Sequence, residues 1–448
     1  MSGSAPPDRV LVVGGGLAGL VAGWTLQRAG LDPLVLEAGH EPGGKVRTEL
    51  VQGYQVEWGP QTFLGEAGDA FSRLVADLGL SQAVVEPGQA SRRRLVLRGR
   101  RLVAIPRQVW RALSLEGLLR AAAEPLLPPR RRGPPESIAG FARRRFGPEA
   151  ARVLFDALVT GIWAGDPARL ELVSALPRLH RLEAEHGGVL RGVLRGGFKP
   201  RRPAAFREGM GQLPRALAAA LGPRLRLGAP VSALAPPGPE GLWTANAAGE
   251  AHTARALVLA APPHAAAPLL ATQAPALAAE LHAVPAADVA VVALGWPGEA
   301  FPGGPPEGFG FLVPHREGRV ALGCIFVSSL FPHTAPPGRV QLRVLCGGRR
   351  RPEVVRWPAE RLLGAVRAEL QEVLGVRGAP ELERVIAIPR AIPQYELGHA
   401  ARLLRIEAQR AALPGLHLTG NGYRGVALGE VVADAERVAR EVAAALRA

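Results

Sequence analysis

Apolar positions change period several times along the chain, and the changes outline a mixed α/β protein. Arg9 to Val13 (RVLVV) is an uninterrupted apolar run, as expected of a strand buried on both faces. Beyond the next glycines, Leu17, Leu20, Val21, Trp24 and Leu26 recur at helical spacing, and Pro33 to Ala38 (PLVLEA) reads as a second strand. Between about Pro106 and Glu185 the period is helical, with few β-branched runs, whereas Leu225 to Ala261 alternates short strands with turns. Leu416 to Leu418 form another strand, and from Gly425 onward Leu428, Val431, Val432, Ala435, Val438, Val442 and Leu446 keep helical spacing. Proline- and arginine-rich stretches at Pro128 to Pro135, Lys199 to Pro203 and Pro236 to Pro239 mark loops or junctions. The longest uncharged run, Ala256 to Ala279, exceeds a bilayer span but is mostly alanine and carries Pro262, Pro263, Pro268, Pro275 and His264. It is expected to be a strand, a loop and the start of a helix.

Composition narrows this picture in three ways. A chain of 448 residues that is 48% apolar has room for two or three domains with real cores. The net charge of +15 comes almost wholly from arginine, since Lys45 and Lys199 are the only lysines, and no nucleic-acid motif accompanies it. No nucleic-acid partner is expected; a basic surface favours acidic lipid headgroups or a polycarboxylate. Cys324 and Cys346 offer neither a disulfide framework nor metal-ligand spacing, and the start of the chain lacks the charged and apolar regions of a signal peptide. The expected location is the cytoplasm.

The first candidate chemistry is GGGLAGL, in which Gly14, Gly16 and Gly19 form a GxGxxG between a strand and a helix. Glycines let the backbone approach a pyrophosphate, whose charge the helix N-terminus stabilises, and Glu37 at the end of the second strand is placed to accept hydrogen bonds from a ribose diol. NAD and FAD both use such a unit. A second glycine turn at Gly43 and Gly44, with Arg47 and Thr48 after it, extends the dinucleotide site, and GNGYRGVALGE opens the C-terminal helix. That second helix N-terminus could stabilise charge on a reduced flavin, or simply begin an amphipathic surface helix.

These elements carry a family resemblance. GGGLAGL, EAGHEPGGKVRT, EWGPQTF and GNGYRGVAL resemble the flavin-binding elements of the amine oxidase and protoporphyrinogen oxidase superfamily. Phe155 to Leu179, Phe206 to Leu217, Gly308 to Pro314 (GFGFLVP) and Pro389 to His399 (PRAIPQYELGH) resemble oxygen-dependent protoporphyrinogen oxidases of the plant and myxobacterial type. The resemblance implies an α/β fold with a discontinuous Rossmann-type FAD-binding domain (residues 1–85, 206–284 and 405–448), a mixed-sheet substrate domain (86–104, 190–205 and 285–404) and an inserted helical domain (105–189) facing a membrane. One non-covalent FAD would be held by Gly14, Gly15, Gly16, Leu17, Ala18, Gly19, Glu37, Ala38, Gly44, Lys45, Gly59, Pro60, Gln61 and Thr62, with Val231 at the adenine end and Val426, Ala427 and Leu428 opening the last helix.

No hydrolytic triad, metal motif or paired carboxylates are present, so the flavin carries the chemistry and no catalytic side chain is expected. By resemblance, a porphyrinogen is oxidised in three two-electron steps while three O2 become three H2O2. Arg94 matches an arginine that pairs with a ring propionate, with Arg98 as its rival; Leu312 and Phe326 match apolar positions sandwiching the macrocycle, and Gly161 a position where a side chain would intrude. Gln61 stands where plant-type enzymes usually have asparagine, and Glu208 replaces a glycine of the usual FxGG. Protoporphyrinogen IX is the expected substrate, with coproporphyrinogen III the rival and a non-catalytic FAD-holding scaffold the alternative of another class. An amine oxidase is disfavoured because no lysine follows Lys199, and a phytoene-type desaturase because it leaves AGDP and IPQYELGH unexplained. The resemblance also admits peripheral membrane contact, a homodimer and contact with ferrochelatase. The stretch from Pro106 to Leu127, with Trp110, Leu115, Leu119 and several arginines, reads as an amphipathic basic helix that suits a lipid interface or packing on its own domain.

Overall fold

The computed structural model describes residues 8–66, 68–130, 133–197 and 202–447, so part of the Pro128 to Pro135 stretch and residues 199–201 of the Lys199 to Pro203 stretch lie outside the described residues. The first sheet is five-stranded and parallel, in the order Leu225–Arg226, Asp32–Leu36, Arg9–Val13, Ala256–Leu259, Leu416–Leu418. Alternation along Arg9–Val13 explains its unbroken apolar run. Val10 and Val12 enter a core shared with the helices Leu17–Arg28, Gln212–Leu221 and Leu428–Arg447, while Leu11 and Val13 enter another with Trp243, Leu270 and Leu281.

A seven-stranded mixed sheet forms the second body, in the order Leu382–Pro393, Ala286–Pro297, Arg339–Gly347, Ala321–Phe326, Gly310–Leu312, Arg94–Arg98, Arg101–Ile105. Its outer face packs on the helix Ala359–Leu374 through Leu362, Val366 and Leu370. The other face turns toward the first sheet and a helical lobe, whose helix Asp156–Trp163 approaches the strand Gly310–Leu312.

Three expectations are corrected. After its strand the run Ala256 to Ala279 holds two helices, Pro263–Leu270 and the beginning of Pro275–His282, because Pro263 and Pro275 occupy first helical turns, where a missing N–H costs nothing. Pro106 to Leu127 breaks into Val109–Ala112 and Leu115–Ala122, the second capped by the Ser114 hydroxyl accepting from Gly117 N–H. The boundary at 205/206 cuts the strand Arg202–Phe206, which pairs with Phe63–Gly65 and Val84–Val85, and the helices continue past 189 to Leu194.

Both cysteines are buried and free, and no disulfide forms between them. Among the described residues there is no metal-ligating cluster, and no helix is long and apolar enough to cross a membrane.

Candidate functional site

The dinucleotide end is built from short-range geometry. Gly19 lets the helix Leu17–Arg28 close on the first strand, since a Cβ there would stand 1.8 Å from the Gly14 carbonyl oxygen. At Gly16 a Cβ would meet nothing within 4 Å, so the backbone at the helix N-terminus faces open space of the kind a pyrophosphate fills. Gly43 N–H donates to the Gly15 carbonyl at 2.8 Å, which seats the second glycine turn beside the first. The Glu37 carboxylate is oriented by N–H groups of Gly15 and Gly39 and keeps lone pairs free for a diol. Ala229 N–H bonds the Glu37 carbonyl at 2.8 Å and Gly228 N–H that of Gly39 at 2.8 Å, so the chain running into Val231 lies against Glu37 and Ala38.

The middle of the site joins Gly44 and Lys45 to Gly59, Pro60, Gln61 and Thr62. A Cβ on Gly59 would stand 2.1 Å from the Lys45 carbonyl, and Trp58 N–H donates to the Arg47 carbonyl at 2.9 Å. Lys45 Nζ reaches the carbonyls of Arg390 and Ala391, and burial lowers its ammonium to about 8. Val426, Ala427 and Leu428 lie where the last helix begins, and that helix packs on the first one. Gln61 is buried at the loop, whereas Glu208 is exposed, on a turn whose next residues, Gly209 and Met210, pack on Thr48 and Glu57. These features accommodate FAD: two glycine turns, an acidic strand end and two helix N-termini. Neither cysteine is near the last helix to tether it.

The substrate side is read from the mixed sheet's register. Arg94, Gly310, Ile325 and Arg343 are paired across four strands and share a face, and Val96, Leu312, Gly323 and Leu345 form the neighbouring row. Leu312, Gly323, Ile325 and Leu345 are partly exposed there, while alternate residues are buried in the outer core. Gly161 roofs this surface, because a Cβ on it would meet Leu312 Cδ2 at 2.4 Å.

Phe326 is therefore corrected. It is 1% exposed and packs edge-on against Phe311, with ring centroids 6.0 Å apart, on the outer face beneath the helix Ala359–Leu374. Ile325 takes the inward position, and Leu345 joins it; alternation within ALGCIF and VQLRVLC was the available signal, though it cannot by itself say which parity faces inward.

Arg94 is exposed at the end of its strand, with its guanidinium 5.3 Å from the Phe309 ring centroid and no ion pair among the described residues. Arg98, four residues along on the same face, is less exposed and lies 3.7 Å from Glu149. Of the two rivals, Arg94 is thus the more exposed. Availability favours Arg94, since Arg98 already has a carboxylate.

Arg343, which sequence reasoning missed, crosses from the mixed sheet to donate to the Gly59 carbonyl and more weakly to that of Glu57, 3.4 Å away. Burial lowers its guanidinium to about 10 and pushes the Glu57 carboxyl up to about 7, opposed in the latter by hydrogen bonds from Met210 N–H and the Thr48 hydroxyl. Arg343 thus ties the start of the Gly59 to Thr62 loop to the sheet, while Glu57 holds the Thr48 hydroxyl and Met210 N–H beside it.

Comparison with known proteins gives consistent relatives. A sequence profile described as flavin-containing amine oxidoreductase matches residues 17–443. A chloroplastic protoporphyrinogen oxidase of Oryza sativa subsp. japonica is 32% identical, over 98% of this chain and 89% of its own. A coproporphyrinogen III oxidase of Bacillus subtilis (strain 168) is 29% identical, over 94% and 95%. A crystal structure from Exiguobacterium sp. 255-15, provisionally named a protoporphyrinogen oxidase, superposes with a TM-score of 0.85 at 25% identity, covering 99% of this chain and all of that one.

Proposed function

The chain belongs to the flavin-containing amine oxidoreductases, an FAD-dependent family, and on that premise we propose that it oxidises protoporphyrinogen IX to protoporphyrin IX with dioxygen as acceptor. The observation that carries this reading is the apolar row of Leu312, Gly323, Ile325 and Leu345, with Gly161 packed against Leu312 and with Arg94, which has no ion pair among the described residues, at its border. A slot over this row suits a broad macrocycle with carboxylates at one edge. Bound FAD would accept a hydride from a bridging methylene and pass the electrons to dioxygen as hydrogen peroxide. The chain's part is to position the ring and exclude water: Leu312 and Ile325 hold its face, and Arg94 anchors a propionate. The paired residues facing the slot include neither lysine, carboxylate nor imidazole, which suits a substrate whose own pyrrole N–H releases the proton and disfavours an amine.

Mixing the protein with protoporphyrinogen IX or coproporphyrinogen III under air, and following porphyrin fluorescence with oxygen uptake, tests the reading. Protoporphyrin should form faster, with three H2O2 per porphyrin; turnover of amines without porphyrin would refute it. Preference for coproporphyrinogen III, with its four propionates, would move the substrate to that rival.

Arg94→Ala should raise KM for the porphyrinogen about tenfold to a hundredfold with a smaller fall in kcat. A charge-assisted hydrogen bond contributes roughly 1.5–3 kcal/mol, and a propionate remote from the reacting carbon contributes mainly uniform binding. Arg101, exposed on the adjoining strand, is the control. Arg98 is unsuitable because its replacement also frees Glu149. An unchanged KM in Arg94→Ala would move the carboxylate anchor elsewhere.

We also propose peripheral membrane contact through the helical lobe. Trp110, Leu115 and Leu119 are 60%, 73% and 64% exposed, beside exposed Arg107 and Arg111. An apolar patch flanked by cations fits an acidic bilayer surface. Leu115→Asp combined with Leu119→Asp should abolish cosedimentation with phosphatidylglycerol vesicles; unchanged cosedimentation would refute this surface.

A further inference from the structure

The stretch Pro389 to His399 touches the dinucleotide site through the Arg390 and Ala391 carbonyls that Lys45 reaches, while its second half runs elsewhere. Gln394, Tyr395 and His399 are 0%, 1% and 1% exposed, a costly placement for polar side chains unless they are bonded. Their contacts lead to two places. Gln394 Nε2 donates to the Trp163 carbonyl at 2.8 Å, and the Trp163 ring meets Tyr395 edge-on with centroids 5.0 Å apart. This side ties the segment to the helix that carries Gly161.

The other side is the loop ahead of the last helix. The Tyr395 hydroxyl donates to the Asn421 carbonyl at 2.8 Å and accepts from Gly425 N–H at 2.8 Å, so a single oxygen spans both ends of the loop. His399 lies flat on the Tyr395 ring, with centroids 4.0 Å apart and planes at 9°, and its Nε2 is 3.0 Å from the Tyr423 carbonyl midway along the same loop. A carbonyl only accepts, so the Nε2 atom carries the proton. Burial also depresses the imidazolium below its ordinary range, consistent with a neutral ring. Val426, Ala427 and Leu428 follow directly after the tied segment.

We propose that Tyr395 is a positioning residue for FAD: its hydroxyl, steadied by the stacked His399, fixes the Asn421 to Gly425 loop and so aims the N-terminus of the last helix at the cofactor. The inference rests on FAD binding and is independent of which reduced substrate the enzyme takes. The half-buried loop ends lose both bonds with that oxygen, so its removal should be felt where the following residues meet the flavin.

Tyr395→Phe keeps the ring, the stack and the Trp163 contact while deleting that one oxygen. Two lost hydrogen bonds should raise the FAD dissociation constant about tenfold to a hundredfold. Flavin absorbance retained on dialysis of the purified holoenzyme reads this directly, whatever its substrate. The reloaded variant should show altered vibronic structure in its visible band, and kcat at saturating FAD should return to within about threefold of the parent. Tyr54→Phe removes a buried hydroxyl that has no hydrogen-bond partner among the described residues and should leave FAD retention unchanged. His399→Phe, which keeps the stack but loses the Tyr423 bond, should weaken FAD retention in the same direction by a smaller factor. The proposal is overturned if Tyr395→Phe retains FAD as well as Tyr54→Phe does, if His399→Phe has no effect, or if FAD loss in Tyr395→Phe only follows lower thermal stability of the FAD-stripped chain.

Discussion

Gly19→Ala is expected to give a folded but colourless protein whose affinity for FAD has fallen at least a hundredfold. The torsion angles at Gly19 do not demand glycine; the obstacle is space. An added Cβ would lie 1.8 Å from the carbonyl oxygen of Gly14 and 3.2 Å from the Ala260 side chain, and a backbone carbonyl cannot rotate aside as a side-chain end can. The helix Leu17–Arg28 must therefore move off the strand Arg9–Val13 by an ångström or more. Overpacking of this kind typically costs about 1–3 kcal/mol, occasionally more where backbone must shift. The displaced element also carries the N–H groups expected to hold the pyrophosphate, so the upper part of that range should appear as lost binding, with about 1.4 kcal/mol to each decade. Flavin absorbance after gel filtration checks it. Full retention of the yellow colour would mean that the helix can retreat without disturbing the dinucleotide.

That the glycine's task could be read from sequence, while the substrate surface could not, has a physical cause. Gly14, Gly16, Gly19 and Glu37 act within one strand, helix and strand, so their spacing already contains their geometry. The parallel strands were equally legible because burial on both faces leaves an unbroken apolar run, as in Arg9–Val13. The slot, by contrast, is assembled from Gly310–Leu312, Ala321–Phe326 and Arg339–Gly347 together with Arg94–Arg98, which comes from a distant part of the chain. Which parity faces inward depends on their mutual register, and a register shift between Ala321 and Gly323 intervenes. A slip of one residue exchanges Ile325 for Phe326, and that is the error the structure corrects. Proline also misled: at Pro263 and Pro275 it begins helices instead of interrupting chain. Tyr395 and Arg343 were invisible as site residues because their partners, Gly425 and Gly59, are contributed by another part of the fold.

The largest effect on stability is expected from Arg145→Ala in the helical lobe. Arg145 and Glu124 are both 0% exposed and paired side chain to side chain. The guanidinium also donates to the carbonyls of Leu127 and Pro128, each at 3.1 Å, and to that of Gly187 at 3.2 Å. Glu124 in turn accepts from Val189 N–H at 2.8 Å and Leu190 N–H at 3.0 Å, capping the helix Val189–Leu194. Removing the arginine leaves a buried carboxylate without its counter-charge and four carbonyls, that of Glu124 included, each short of a donor. The loss of one partner of such a pair costs about 3–5 kcal/mol, much of it the penalty for the group left behind. Replacing both partners by apolar residues, as in Glu124→Leu with Arg145→Met, should cost less than the two single changes together, because neither variant charge then remains uncompensated. Urea unfolding of the four proteins, followed by tryptophan fluorescence because Trp163 lies in the same lobe, gives the coupling directly. Additive losses would show that the pair acts as two independent sets of hydrogen bonds and that charge compensation contributes little to holding the lobe together.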